Sequence, residues 1–151
     1  MVTPVAMSID ADLVRRWSER LCRLPAGGAA EAAMALGLAG SLVRRVDATL
    51  VEPPPPGCAE LMLVEGNRGV DHLDLELGDG PGGSRLTRAG LDARFGRGDE
   101  LVRIHYDSPY PLAYHVEVPG APFTCEVIAY FRDEPTDAST AVRLVLRRDR
   151  A

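Results

Sequence analysis

The chain has 151 residues, of which 46% are hydrophobic and 26% are charged, and its formal net charge is −5. This length suits one domain with a sizeable core. No apolar run reaches the ~20 residues that a membrane-crossing helix needs, and the first residues lack the pattern of a secretory signal. The sequence therefore predicts one cytoplasmic domain, residues 1–151, that does not enter a membrane.

Lysine is absent, so all 17 positive charges are arginine. Together with abundant Ala, Gly and Pro, this composition is typical of a bacterial genome of high GC content. Schiff-base catalysis, pyridoxal enzymes and phosphate-binding loops depend on a lysine amine. Those classes are excluded, and no motif predicts a cofactor.

The three cysteines are Cys22, Cys58 and Cys125. Their number is odd, they are far apart, and none forms a Cys-x-x-Cys pair, so neither a disulfide nor a zinc site is predicted. Cys22 and Cys125 are predicted to be small buried side chains. Cys58, beside a run of prolines, is predicted to be exposed.

Two helices open the chain. Ile9, Leu13, Trp17 and Leu21 repeat every four residues, which predicts an amphipathic helix over 9–24, capped by Ser8 or Asp10. Residues 29–40 are almost all small and predict a second helix packed in the interior.

Strands follow the helices. Residues 42–51 predict one strand that ends at the loop "EPPPPG", and 59–65 with 70–77 predict a hairpin. In the second strand of that hairpin, His72, Asp74 and Glu76 alternate with leucines, so they are expected on the solvent face. "GDGPGG" (78–83) is predicted to be a hinge between two similar halves, 1–78 and 84–151.

The second half also begins with a helix. Thr87 can cap it, Leu86 and Leu91 can form a hydrophobic staple, and Gly96 can end it. Strands are predicted at 101–106, 112–118, 123–131 and 141–147. The predicted fold class is α+β, with helices packed on an antiparallel sheet in two layers.

The turns fix the strand register in this half. If 119–122 closes a hairpin, paired residue numbers add up to 241, and His115 faces Glu126. If the next loop is 132–141, the sum is 273, and Glu126 faces Arg147. The expected result is a polar row, His115–Glu126–Arg147, on the face opposite the core.

The stretch "HYDSPYPLAYH" (105–115) holds the candidate chemistry. One hypothesis is a small-molecule-binding cup, such as an isomerase or cyclase, in which His105, Asp107, Tyr114, His115 and Glu126 provide acid–base groups. Ser108 with His105 and Asp107 has the letters of a hydrolase triad, but "DSPYP" is ordinary turn chemistry.

Two sets of residues carry metal-ligand chemistry. One is His105 and His115 with Glu117 or Glu126, and the other is His72, Asp74 and Glu76. Side chains two apart on a strand lie ~6.6–7 Å apart, too far to share one ion. No metal site is predicted.

The leading hypothesis is a non-enzymatic protein that binds another protein, as an inhibitor, adaptor or immunity protein does. Residues 52–79 hold seven acidic residues and one basic residue, which favours a partner with a basic surface and excludes nucleic acid. Tyr110 between two prolines is the first predicted contact, and His72, Asp74 and Glu76 of the acidic region are the further predicted contacts. Tyr106 and Tyr114 are expected on the core side. The sequence leaves a homo-oligomer open.

Overall fold

In the part of the chain that the structure describes, eight strands form one antiparallel sheet, and three helices pack on one of its faces. The structure is a computed structural model and describes residues 9–25, 27–66, 69–78 and 85–150. The α+β class with helices on an antiparallel sheet is confirmed. No helix in these ranges combines the length and the apolar character needed to cross a bilayer.

The helices are α1 (Ala11–Arg23), α2 (Ala29–Leu36) and α3 (Arg88–Phe95). The strands are β1 (Ser41–Arg44), β2 (Thr49–Glu52), β3 (Glu60–Gly66), β4 (Gly69–Glu76), β5 (Asp99–Glu100), β6 (Tyr110–Val116), β7 (Phe123–Phe131) and β8 (Arg143–Arg150). Their order in the sheet is β1-β2-β3-β4-β8-β7-β6-β5. The strands of both predicted halves therefore join in one sheet, where β8 lies between β4 and β7. Most of the predicted hinge, residues 79–83, lies outside the described residues.

The helix ends follow local chemistry. Asp10 accepts a hydrogen bond from the Leu13 amide at 2.9 Å, and Thr87 accepts one from the Gly90 amide at 3.0 Å. Both caps are as predicted for these residues. α2 ends at Leu36, four residues before the predicted end, because Gly37 adopts a left-handed φ of 71° that terminates the helix.

The single strand predicted over 42–51 is wrong. It is divided into β1 and β2, which form a tight hairpin closed by a 2.7 Å hydrogen bond from the Arg45 amide to the Ala48 carbonyl. Asp47 interrupts the apolar pattern and lies in the turn.

The main core lies between the helices and the face of the sheet that they cover, here called the helix face. Trp17 of α1 is its largest side chain, and its indole N–H donates to the Leu36 carbonyl of α2 at 3.1 Å. From the sheet come alternate residues of the central strands, such as Leu73, Val127 and Leu144, each fully buried. Within the described ranges, no helix lies on the opposite face, here called the outer face.

Two sets of interactions join the end of α1 to the sheet: a disulfide bond and the hydrogen bonds of a buried arginine. Cys22 and Cys125 form a disulfide with a Cα–Cα distance of 5.9 Å, so the prediction of two separate thiols is wrong, although both residues are buried as predicted. The pairing depends on how α1 crosses β7, and the spacing of the cysteines gives no information about that crossing. Arg148 of β8 is buried beside this bond and donates to the carbonyls of Leu21, Leu24 and Val70.

The prediction that Cys58 is exposed is also wrong. Its side chain is buried, and its thiol donates to the Glu60 carbonyl at 2.9 Å. Burial raises the pKa of the Cys58 thiol to about 11, so it is an unreactive neutral thiol at ordinary pH.

Candidate functional site

β5 and β6 form a hairpin whose two strands stop pairing well before the loop that joins them. The last bond between the two arms runs from the Leu101 amide to the Pro111 carbonyl at 3.1 Å, and residues 102–109 form an irregular loop, here called the hairpin tip. The predicted strand over 101–106 is therefore wrong. In the continued register, Arg103 would face Pro109, and neither Pro109 nor Pro111 has an N–H to donate.

The hairpin tip exposes three large apolar side chains. Val102 is 94% exposed, Ile104 88% and Tyr106 88%. The prediction that Tyr106 lies on the core side is wrong, because that prediction assumed a paired strand. Single exposed apolar residues are normal on protein surfaces, but here three large ones lie within five residues of one short loop.

The hairpin tip is held in shape by its own polar groups. The Arg103 guanidinium lies 4.0 Å from the centre of the Tyr110 ring and donates to the Tyr106 carbonyl at 2.5 Å. Ser108 donates its amide to the His105 carbonyl at 3.0 Å and accepts the His105 amide on Oγ at 3.2 Å. These contacts turn Arg103 inward and leave the apolar side chains outside.

Tyr110, the first predicted contact, does not lie in the hairpin tip. It is the first residue of β6, is partly buried, and packs against the main core while its ring supports Arg103. From this position, its ring can support the hairpin tip through the contact with Arg103.

The predicted polar row is confirmed. His115 pairs with Glu126, and Glu126 pairs with Arg147; the row continues to His72 on β4. The His115 ring lies 4.0 Å from the Glu126 carboxylate and 3.7 Å from that of Asp99, with its side chain 72% exposed. Exposed pairs of this kind contribute about 0–1 kcal/mol each.

His72, Asp74 and Glu76 lie on the outer face, as predicted, and each is in contact with a charged neighbour: Asp71 for His72, and Arg143 for both Asp74 and Glu76. The Asp74 carboxylate accepts two hydrogen bonds from Arg143, at 2.9 and 2.5 Å, and its side chain is only 11% exposed. These bonds raise the pKa of Arg143. The Nδ1 atom of His72 is hydrogen-bonded to the Asp71 carboxylate at 2.6 Å. The Glu76 carboxylate lies 3.8 Å from Nε of Arg143. Asp74 is therefore a largely buried carboxylate that is paired with a partly exposed arginine.

The residues of the predicted cup lie in three places. Tyr114 is buried on the helix face, where its hydroxyl donates to Asp92 of α3 at 2.8 Å. Burial and this carboxylate raise the pKa of Tyr114 well above its usual value. His115 is on the outer face, while His105 and Asp107 are exposed in the hairpin tip. In the ranges described above, no three His, Cys, Asp or Glu side chains are placed to hold a metal ion.

Sequence analysis missed Asp92 and Arg143 as partners of Tyr114 and Asp74. Asp92 carries no signal beyond its place on a short helix. Arg143 alternates with apolar residues on β8, but its contact with β4 requires knowing that these two strands are neighbours.

Comparisons of the chain with protein families, with curated proteins and with solved structures found no match.

Proposed function

We propose that this protein acts by binding another protein, and that the hairpin tip is the main contact. The observation that carries the proposal is the exposure of Val102, Ile104 and Tyr106 on a loop that Arg103 and Tyr110 hold in shape. Burying one large apolar side chain contributes roughly 1.5–3 kcal/mol, and the folded chain leaves this contribution unused at three positions.

The shape of the tip favours tight binding. A loop that is ordered before it binds loses less conformational entropy on association. The hydrogen bonds of Arg103 and Ser108 provide that order without using the apolar side chains. Inhibitors, adaptors and immunity proteins bind their targets in this manner.

The charges beside the tip indicate the chemistry of the partner. Residues 99–109 contain three acidic residues, Asp99, Glu100 and Asp107, and one arginine, Arg103, which is bound to Tyr110 and the loop carbonyls. An apolar pocket with a basic rim complements this distribution. Nucleic acid does not, because its phosphates would meet the carboxylates.

A cytoplasmic location remains a prediction. The disulfide Cys22–Cys125 is the observation against it, because disulfides persist mainly in oxidising compartments.

A capture experiment with two matched variants tests the proposal. The tip variant replaces Val102, Ile104 and Tyr106 with Ser, and the control replaces Met34 and Val46, which are 83% and 99% exposed elsewhere on the surface, with Ser. We expect immobilised wild-type and control proteins to retain the same partner from an extract of the source cells, and the tip variant to lose it. Equal retention by all three proteins would refute the proposal.

A further inference from the structure

The open edge of the sheet at β5 continues into the hairpin tip. β5 is the last strand of the sheet, so β6 bonds to one of its sides and the other side is open. Asp99, Glu100 and Leu101 are exposed, and the exposed Val102 and Ile104 follow them in the tip. Residues 99–104 therefore form one continuous segment, here called the open edge.

The backbone groups of the open edge point away from the sheet. Successive residues of a strand direct their N–H and C=O groups to opposite sides. The Leu101 amide bonds to the Pro111 carbonyl of β6, so Glu100 and Val102 direct their backbone groups outward. Among the described residues, no backbone group of 102–104 has a hydrogen-bond partner. The open edge therefore presents main-chain donors and acceptors to which no part of the described chain is bonded.

This edge lacks the protection that edge strands usually have. Folded proteins block such edges with charged side chains, prolines or a covering element, because an open edge pairs readily with another chain. Here three of the four residues over 101–104 are apolar and exposed. Pro109 and Pro111 stand on the β6 side, where they stop the hairpin from pairing with itself and leave the other side open.

We propose that the partner binds by adding an extended segment to the open edge as a further strand of the sheet. This inference rests on the proposed function and specifies how the tip makes its contact. The main chain of the segment bonds to the outward groups of Glu100 and Val102, and its side chains cover Leu101, Val102 and Ile104. Main-chain bonds and apolar contacts then act together at the same residues.

Charge favours a basic segment over a second copy of this chain. Asp99 lies 3.7 Å from His115, whereas Glu100 has no ion pair among the described residues. The Arg103 guanidinium is directed to the Tyr110 ring and to carbonyls of the tip. Two copies joined edge to edge would bring four carboxylates together while both arginines are directed elsewhere, and like charges on neighbouring strands oppose pairing. An arginine or lysine of a foreign segment would pair with Glu100.

The test uses a synthetic strand as the probe. A peptide of about six residues that alternates arginine and valine, with both ends blocked, is added to the full chain, and amide hydrogen exchange is measured by NMR. We expect exchange of the Glu100 and Val102 amides to slow about tenfold or more, because the added strand accepts their hydrogen bonds. The Leu101 amide is already bonded to Pro111 and the Arg103 amide points to the β6 side, so both should exchange as before.

Two variants at position 102 separate main-chain pairing from side-chain contact. Val102→Ser removes the apolar side chain and keeps the outward N–H, whereas Val102→Pro removes both. The proline variant breaks no bond within the described chain, because this N–H has no partner there. We expect Val102→Pro to bind the peptide about tenfold more weakly than Val102→Ser. Slow exchange of the Leu101 amide in both variants shows that the hairpin is intact; if proline disturbs it, the alternating exchange pattern of the wild-type protein decides.

Several results would overturn this inference: no binding of the peptide, equal protection of the Arg103 and Val102 amides, equal binding by the two variants, or self-association of the chain in place of peptide binding. None of these results changes the capture experiment. If the tip variant still loses the partner, the tip binds through its side chains alone and the proposed function stands. If the tip variant retains the partner, the proposed function itself is refuted.

Discussion

β7 and the hairpin tip place similar residues in opposite surroundings. Both place apolar residues at alternate positions, and in β7 the positions Val127, Ala129 and Phe131 are at most 1% exposed. In the tip, the corresponding side chains are almost fully exposed. The difference is pairing: β7 is bonded to β6 and β8 along its length, whereas the residues of the tip pair with no strand, because Pro109 and Pro111 have no N–H to continue the ladder.

The comparison separates two uses of apolar residues. In β7 they stabilise the folded state, because the helices remove them from water. In the tip they contribute almost nothing to folding, so they are available for a partner. Substitutions in the two regions should therefore affect different measurements.

The largest effect on stability is expected in β7. Phe131→Ala should lower the free energy of unfolding by about 3–5 kcal/mol, because it removes a fully buried ring and leaves a cavity. Urea denaturation followed by circular dichroism measures this value. A loss below about 1 kcal/mol would mean that β7 is not the packed strand described here.

The disulfide that joins β7 to α1 should come next. Cys22→Ala with Cys125→Ala should cost about 2–4 kcal/mol, because the bond closes a long loop, with 103 residues of sequence separation, in the unfolded chain. Labelling with a thiol reagent gives an independent check. The native protein should not react at neutral pH, and the unreduced, denatured protein should expose Cys58 alone; three labelled thiols would contradict the disulfide.

A smaller effect is expected where the tip meets the sheet. Arg103→Ala should lower stability by only about 0.5–1 kcal/mol, because it removes one partly exposed cation–π contact. Its main consequence should be increased motion of residues 104–108, measured by ¹⁵N relaxation, together with weaker partner binding. Unchanged relaxation would show that Arg103 does not order the tip.

The smallest effect on stability belongs to the tip side chains themselves. Ser at Val102, Ile104 and Tyr106 should change the free energy of unfolding by no more than about 0.5 kcal/mol per position, because these side chains are already in water. Denaturation of the triple variant beside Phe131→Ala compares the regions directly. A large loss in the triple variant would mean that the tip packs against the protein.

The features that the sequence predicts well depend on short-range chemistry. The turn at 119–122 fixes the register of β6 and β7, so the pairing of His115 with Glu126 could be worked out. The caps at Asp10 and Thr87 were predictable for the same reason. Pro109 and Pro111 also indicate that the hairpin tip is unpaired, but the alternation of apolar residues over 102–106 favours a strand.

Contacts between distant parts of the chain could not be predicted. Asp74 and Arg143 are 69 residues apart, and their ion pair exists because β4 and β8 are neighbours in the sheet. The disulfide likewise depends on the position of α1 over β7. No local pattern specifies which strands of two hairpins become neighbours, so the sequence could not show that the carboxylates of both halves share one face.

Cross-linking from the hairpin tip tests the central claim most directly. A photoreactive phenylalanine analogue at position 104 of the full chain, illuminated in the source cells, should produce one discrete cross-linked species that contains the partner. The same group at position 46, equally exposed on the β1–β2 turn, should not. Cross-links of equal yield and pattern from both positions, or none from position 104, would contradict the claim that the hairpin tip binds a protein.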